Sequence, residues 1–151
     1  GEPALVDGWA TSAAGIAPLV YVADCLPVAL SGPRGVAMVH CGWRGLAAGI
    51  AERGVREVEA RAASIGPGIG RCCFEVGEEV LAEFSRLGDD IAGGRMLDLG
   101  LVCERLLIEA DVETVERSDL CTSCEPGLFF SHRRDGGVTG RQAGTVWLCP
   151  S

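Results

Sequence analysis

Apolar and polar positions along the chain sort into short extended runs and three longer stretches of helical period. Ala4-Leu5-Val6 with Trp9 suggests a short first strand. Ala17 to Ala23 is β-branched and aromatic and predicts a strand, and Pro27 to Leu30 resumes extended structure after a break at Cys25. Ser31-Gly32-Pro33-Arg34-Gly35 is a turn by composition, and Val36 to His40 is the next strand. Together they predict a hairpin, which puts Cys25 and His40 on adjacent strands. Gly42 to about Val58 predicts a helix whose apolar face carries Leu46, Ile50, Val55 and Val58.

Ala62 to Ile65 predicts a short strand that runs into the loop Gly66-Pro67-Gly68-Ile69-Gly70. Phe74 to Leu87 is amphipathic through Val76, Val80, Phe84 and Leu87, and Gly88 to Gly94 is an acidic surface loop. Asp98 is placed to cap a helix that runs to about Ala110 and offers Leu101, Val102, Leu106 and Leu107 for burial. Val112 to Val115 and Ala143 to Cys149 predict further strands, with a flexible Gly136–Gln142 loop before the second. Strand hairpins mixed with about three helices favour an α+β class over alternating βαβ units.

At 151 residues, 48% apolar and 23% charged, the chain has the make-up of one globular domain. Gly, Pro or a charge breaks every long apolar run, so no membrane span is expected. Gly1-Glu2-Pro3 has neither a basic start nor an apolar continuation, which points away from a secretory signal and toward a cytoplasmic protein. A net charge of −8 argues against nucleic acid as a partner. All 13 basic residues are arginine, a bias of coding composition that carries little functional weight, although a local arginine cluster can still bind a small anion.

Eight cysteines are many for this length. Without a secretory signal they read as reduced thiols. Cys121-Thr122-Ser123-Cys124 is the one CxxC pair, and Cys72-Cys73 are adjacent. A zinc ribbon needs a second CxxC, and a thioredoxin-like pair needs to open a helix, which Glu125-Pro126-Gly127 does not. The expectation is a turn that carries two thiols. The glycine loop at Gly66–Gly70 lacks the Lys-Ser/Thr of a P-loop, and Pro67 lacks a donor, so a tight structural turn is expected there too.

Cys25 and His40 suit three uses. They are two of the ligands of a zinc site, or the thiol–imidazole pair of a cysteine hydrolase, or a buried Cys beside a hydrogen-bonded His. A second polar constellation, Ser131-His132-Arg133-Arg134-Asp135, follows Leu128-Phe129-Phe130, which reads as delivering it to a strand end. Multicopper oxidation needs many imidazoles, and the chain has only His40 and His132.

Four ordered motifs carry a resemblance that spans essentially the whole chain. They are Ala23-Asp24-Cys25-Leu26-Pro27-Val28, His40-Cys41-Gly42-Trp43-Arg44-Gly45, the run from Gly66 to Gly77, and Phe130-Ser131-His132-Arg133-Arg134-Asp135. The chain resembles the laccase-domain purine nucleoside phosphorylase family, long labelled polyphenol oxidase. That resemblance implies a fold grouped with toxin deamidases that use a Cys–His pair. It also implies a single laccase-like domain over residues 1–151 without the family's N-terminal segment.

The activity implied is phosphorolysis of adenosine, inosine, guanosine and methylthioadenosine, with hydrolytic deamination of adenosine. The implied cofactor is zinc, with copper also proposed, held by two histidines and one cysteine. Cys25 matches the cysteine and His40 the second histidine; the first belongs to a Gln-Val-His-type motif upstream of Gly1. The alternatives are a Cys–His thiol hydrolase or deamidase and an inactive domain with a vestigial metal site.

Further roles rest on residue chemistry alone. Arg44, at the start of a helix beside His40, is the first candidate for phosphate, with Arg133 and Arg141 behind it. His132 is a candidate substrate contact. Asp24 is placed to orient an imidazole or to act as a base.

Overall fold

The computed structural model describes residues 7–149. Nine strands and four α-helices are formed among them. The central sheet has five strands in the order β1 (Gly8–Thr11), β4 (Gly35–Cys41), β3 (Leu26–Gly32), β5 (Ala62–Ile65) and β8 (Thr114–Arg117). Its first three pairings are antiparallel, and β5 with β8 is parallel. The expected hairpin is present: β3 and β4 pair from Leu26 opposite Cys41 to Gly32 opposite Gly35. Of the expected first strand, residues 4–6 lie outside the described residues, while Trp9 lies in β1.

One face of this sheet carries helices α2 (Ile50–Val58) and α4 (Leu99–Glu109), and Leu26, Val28, Leu30, Ala37 and Val39 point into the core between them. Each of the Leu and Val side chains among them contributes about 1.5–3 kcal/mol on full burial. The other face is covered by a two-stranded sheet of β2 (Leu19–Val22) and β9 (Gln142–Thr145). Val20 and Val22 of β2 bury against Met38 there. Alternation along β4 then puts His40 on the same face as Met38, opposite to Val39 and Cys41. The α+β class is therefore present, as a helix layer, a mixed sheet and a small second sheet.

Four departures from expectation have local causes. The helix expected from Gly42 to Val58 is two helices, α1 (Trp43–Ala47) and α2, because Gly49 adopts φ +79°, which L side chains avoid. The helix expected from Phe74 is shorter: α3 covers Glu78–Phe84 and a 3-10 turn continues to Leu87. Val76 N–H instead donates to Arg95 O, and Leu97 N–H to Phe74 O. The expected acidic loop contains a 3-10 turn at Asp89–Ile91 with Ile91 buried, followed by a short hairpin of β6 (Ala92–Gly93) and β7 (Met96–Leu97).

Leu128-Phe129-Phe130 is not a strand. Leu128 and Phe129 N–H groups both donate to Glu125 O, forming turns after Pro126 and Gly127. The Gln142 side chain stands in for a strand partner, accepting from Phe130 N–H and donating to Phe130 O. The last strand is confined to Gln142–Thr145, within the longer run expected. Asp98 does cap α4, its carboxylate accepting from Leu101 N–H at 2.8 Å.

Candidate active site

The link between β2 and β3 is Ala23-Asp24-Cys25, and β4 ends beside it. Extending the β3–β4 register by one residue sets Cys25 against Gly42, with Pro27 paired to His40. Gly42 has a steric reason to be glycine, since a Cβ there would meet the Cys25 sulfur at 2.8 Å. Cys25 and His40 both line one cavity of about 300 Å³ at this end of the sheet. Also on its walls are Asp24, His132, Arg133, Arg141, Tyr21, Trp43 and Phe74.

Asp24 is buried and holds a left-handed backbone at φ +88°, which costs free energy in a non-glycine residue. Its surroundings fix that conformation. One carboxylate oxygen accepts from Thr122 Oγ1–H at 2.6 Å and the other from Arg133 N–H at 2.7 Å. Its carbonyl accepts from Ile69 N–H at 2.8 Å. The carboxylate is thus committed to tying three loops together. These bonds fix the turn that Asp24 shares with the neighbouring Cys25.

Burial pushes the Cys25 thiol up, the carboxylates of Asp24 and Asp7 push it further, and Arg141 offsets part of the rise. A cysteine nucleophile and a cysteine metal ligand both act as the thiolate, the form that these surroundings disfavour.

Arg133 places its guanidinium 5.5 Å from the Phe74 ring centroid and donates to Glu75 O. Arg141 donates to Thr139 O and Gly140 O. Arg44 is not brought to the cavity wall; it is exposed and stacks on Trp43, 4.4 Å from the ring centroid. Trp43 occupies the place expected of Arg44, because a helix start sends consecutive side chains in different directions.

The Ser131–Asp135 segment is held by Arg134. Its guanidinium donates to Thr122 O, Phe129 O and both Asp135 oxygens. Asp135 also accepts from Thr139 Oγ1–H at 2.6 Å. Hydrogen bonds from Arg134 and then Thr139 hold its carboxyl down, at about 2.

Thr122 is the residue sequence reasoning overlooked here. It is fully buried inside the CxxC turn, and only its contact with Asp24 shows what it does. The CxxC turn itself is more than two idle thiols. Cys72, Cys73, Cys121 and Cys124 converge with all four sulfurs within 4.8 Å of one another. The adjacent pair supplies what the expected absence of a second CxxC overlooked. All eight cysteines are free thiols.

A family model described as multi-copper polyphenol oxidoreductase laccase matches residues 2–149. A protein named purine nucleoside phosphorylase YlmD, from Geobacillus stearothermophilus, is 36% identical over 157 residues, covering 90% of this chain and 57% of the relative. A protein named adenosine deaminase RL5, from an unknown prokaryotic organism, is 35% identical over 156 residues, covering 90% of this chain and 60% of the relative. The chain therefore spans less than two thirds of the length of these curated relatives. A solved structure of the Neisseria meningitidis protein NMB0706 superposes with a TM-score of 0.85 at 33% identity, over 94% of this chain and 64% of that one.

Proposed function

The chain belongs to the multi-copper polyphenol oxidoreductase laccase family, and from that premise we propose that it carries the catalytic cavity of a purine nucleoside phosphorylase that also deaminates adenosine. The observation that supports this most is the make-up of one cavity, in which a thiol, two imidazoles and two guanidinium groups meet three aromatic rings. The rings of Phe74, Trp43 and Tyr21 give a purine apolar faces. Arg133 and Arg141 give a phosphate dianion charged donors, and His132 stands beside them to contact the substrate. Adenosine, inosine, guanosine and methylthioadenosine are the proposed substrates, and residues 1–151 act as one domain in the cytoplasm. No helix among the described residues is long and apolar enough to cross a membrane.

Cys25 and His40 fit a transition-metal ion as thiolate and imidazole donors, and would hold zinc, or copper in its place. A bound cation would have to offset the burial and the Asp24 charge that disfavour the Cys25 thiolate. When bound, such an ion supplies a Lewis acid and lowers the pKa of a coordinated water. The chain's own residues do the rest: Asp24 fixes the Cys25 turn, Gly42 leaves the sulfur room, and Arg133 and Arg141 orient the phosphate.

The test is Cys25→Ala in the protein encoded by the complete gene. Metal content and release of hypoxanthine from inosine and phosphate should fall together. Hypoxanthine release at the wild-type rate would sink the reading. A metal-free wild-type protein whose activity is lost on alkylation of Cys25 would favour the thiol hydrolase instead.

A further inference from the structure

The four-thiol cluster contributes no residue to the cavity wall, and nothing in the proposed reaction uses it. Cys73 and Phe74 N–H groups both donate to Gly70 O, at 3.0 and 3.1 Å. This tight turn brings Cys72 and Cys73 to the same side, where an extended chain would send them to opposite faces. Cys124 and Glu125 N–H groups both donate to Cys121 O at 3.1 Å, closing the opposing turn. A parallel bridge between Gly68 and Cys121 sets the two turns face to face.

We propose that Cys72, Cys73, Cys121 and Cys124 form a structural zinc site, separate from Cys25 and His40. Zinc–sulfur bonds of about 2.3 Å in a tetrahedron separate the sulfurs by about 3.8 Å. Here Cys124 lies 3.5 Å from Cys72 and 3.4 Å from Cys73, and no pair exceeds 4.8 Å. The hole between the sulfurs fits a single ion. A cluster of several irons is wider and would need its ligands farther apart. The separations are also well beyond the about 2.05 Å of a disulfide bond.

Backbone donors complete the site. Gly70 N–H donates to the Cys121 sulfur at 3.1 Å. Such bonds stabilise a thiolate and orient it toward a metal. Cys72 and Cys124 are exposed, which gives an ion access.

An ion here would staple the loop after β5 to the segment after β8. Thr122, which sits between Cys121 and Cys124, would then hold Asp24 in its strained conformation and so keep the cavity in shape. This inference stands apart from the nucleoside reading, because the cluster needs neither Cys25 nor His40.

The experiment is metal analysis of the chain purified under reductant and without oxygen, then equilibrated with zinc alone. Cys124→Ser and the double variant Cys72→Ser/Cys73→Ser should each lose one zinc per chain relative to wild type. Cys25→Ala/His40→Ala should retain that zinc. Cobalt added in place of zinc to Cys25→Ala/His40→Ala should give a thiolate-to-metal charge-transfer band, and adding Cys124→Ser in that background should diminish it.

Should the cysteine variants fail to fold, wild-type protein serves. Zinc should protect the four thiols from iodoacetamide, and a chelator should expose them. Equal zinc in wild type and Cys124→Ser, equal alkylation with and without zinc, or stoichiometric iron in place of zinc would each overturn the proposal.

Discussion

Thr122 Oγ1–H donates to Asp24 Oδ1 at 2.6 Å, joining residues 98 positions apart in a buried contact. A hydrogen bond to a buried carboxylate is worth about 1.5–3 kcal/mol when its partner is removed. Thr122→Val should lower unfolding stability by about that amount, and Thr122→Ser should restore most of it. Urea melts of the three proteins check this; equal midpoints for Val and Thr would show that the bond carries no stability.

Arg133 and Arg44 separate two assignments of the phosphate contact. Arg133→Met keeps the backbone N–H bonded to Asp24 but removes the guanidinium from the cavity. Losing a charged contact of about 1.5–3 kcal/mol raises the KM for phosphate about 10- to 100-fold. Arg44→Met, which alters an exposed side chain stacked on Trp43, should leave that KM within about twofold. Phosphate titrations at fixed inosine decide; the reverse ranking would return Arg44 to the site.

Gly42→Ala puts a methyl 2.8 Å from the Cys25 sulfur. The thiol must move, at a cost of about 1–3 kcal/mol for overpacking. The variant should fold and melt earlier, and it should bind metal at the Cys25 site more weakly. Isothermal titration with zinc in a Cys72→Ser/Cys73→Ser background isolates this site.

Asp135 gives the fold an acid-sensitive contact. Its carboxyl is held at about 2 by Arg134 and Thr139, below the about 3.9 of an unfolded chain. A depressed folded-state value stabilises fully above the unfolded-state value, and the gain disappears as pH falls from about 4 to about 2. Stability of wild type should therefore drop more steeply across that window than stability of Asp135→Asn. Parallel slopes in chemical denaturation at successive pH values would remove the ion pair from the account.

Gly49→Ala tests the break between α1 and α2. The new Cβ has room, with Glu52 Oε2 nearest at 3.8 Å, so the cost comes from φ +79° alone. A loss of about 1–2 kcal/mol is expected from that left-handed backbone. An unchanged melting temperature would show that the junction relaxes freely.

The sequence by itself determined what depends on near neighbours. The β3–β4 hairpin was legible because a Gly-Pro-Arg-Gly turn joins two apolar runs, and this brought Cys25 and His40 to one end. Asp98 was legible as a cap because its acceptor bonds an amide three residues on. Tertiary structure alone decided the rest. Cys73 and Cys124 are 51 residues apart and meet only because β5 and β8 pair in parallel, with α3 and α4 between them in the chain. A parallel crossover leaves no local turn signal, so nothing in either cysteine pair announced the other. The partners of Asp24, Thr122 and Arg133, were not legible for the same reason: they come from loops that only the folded sheet brings together.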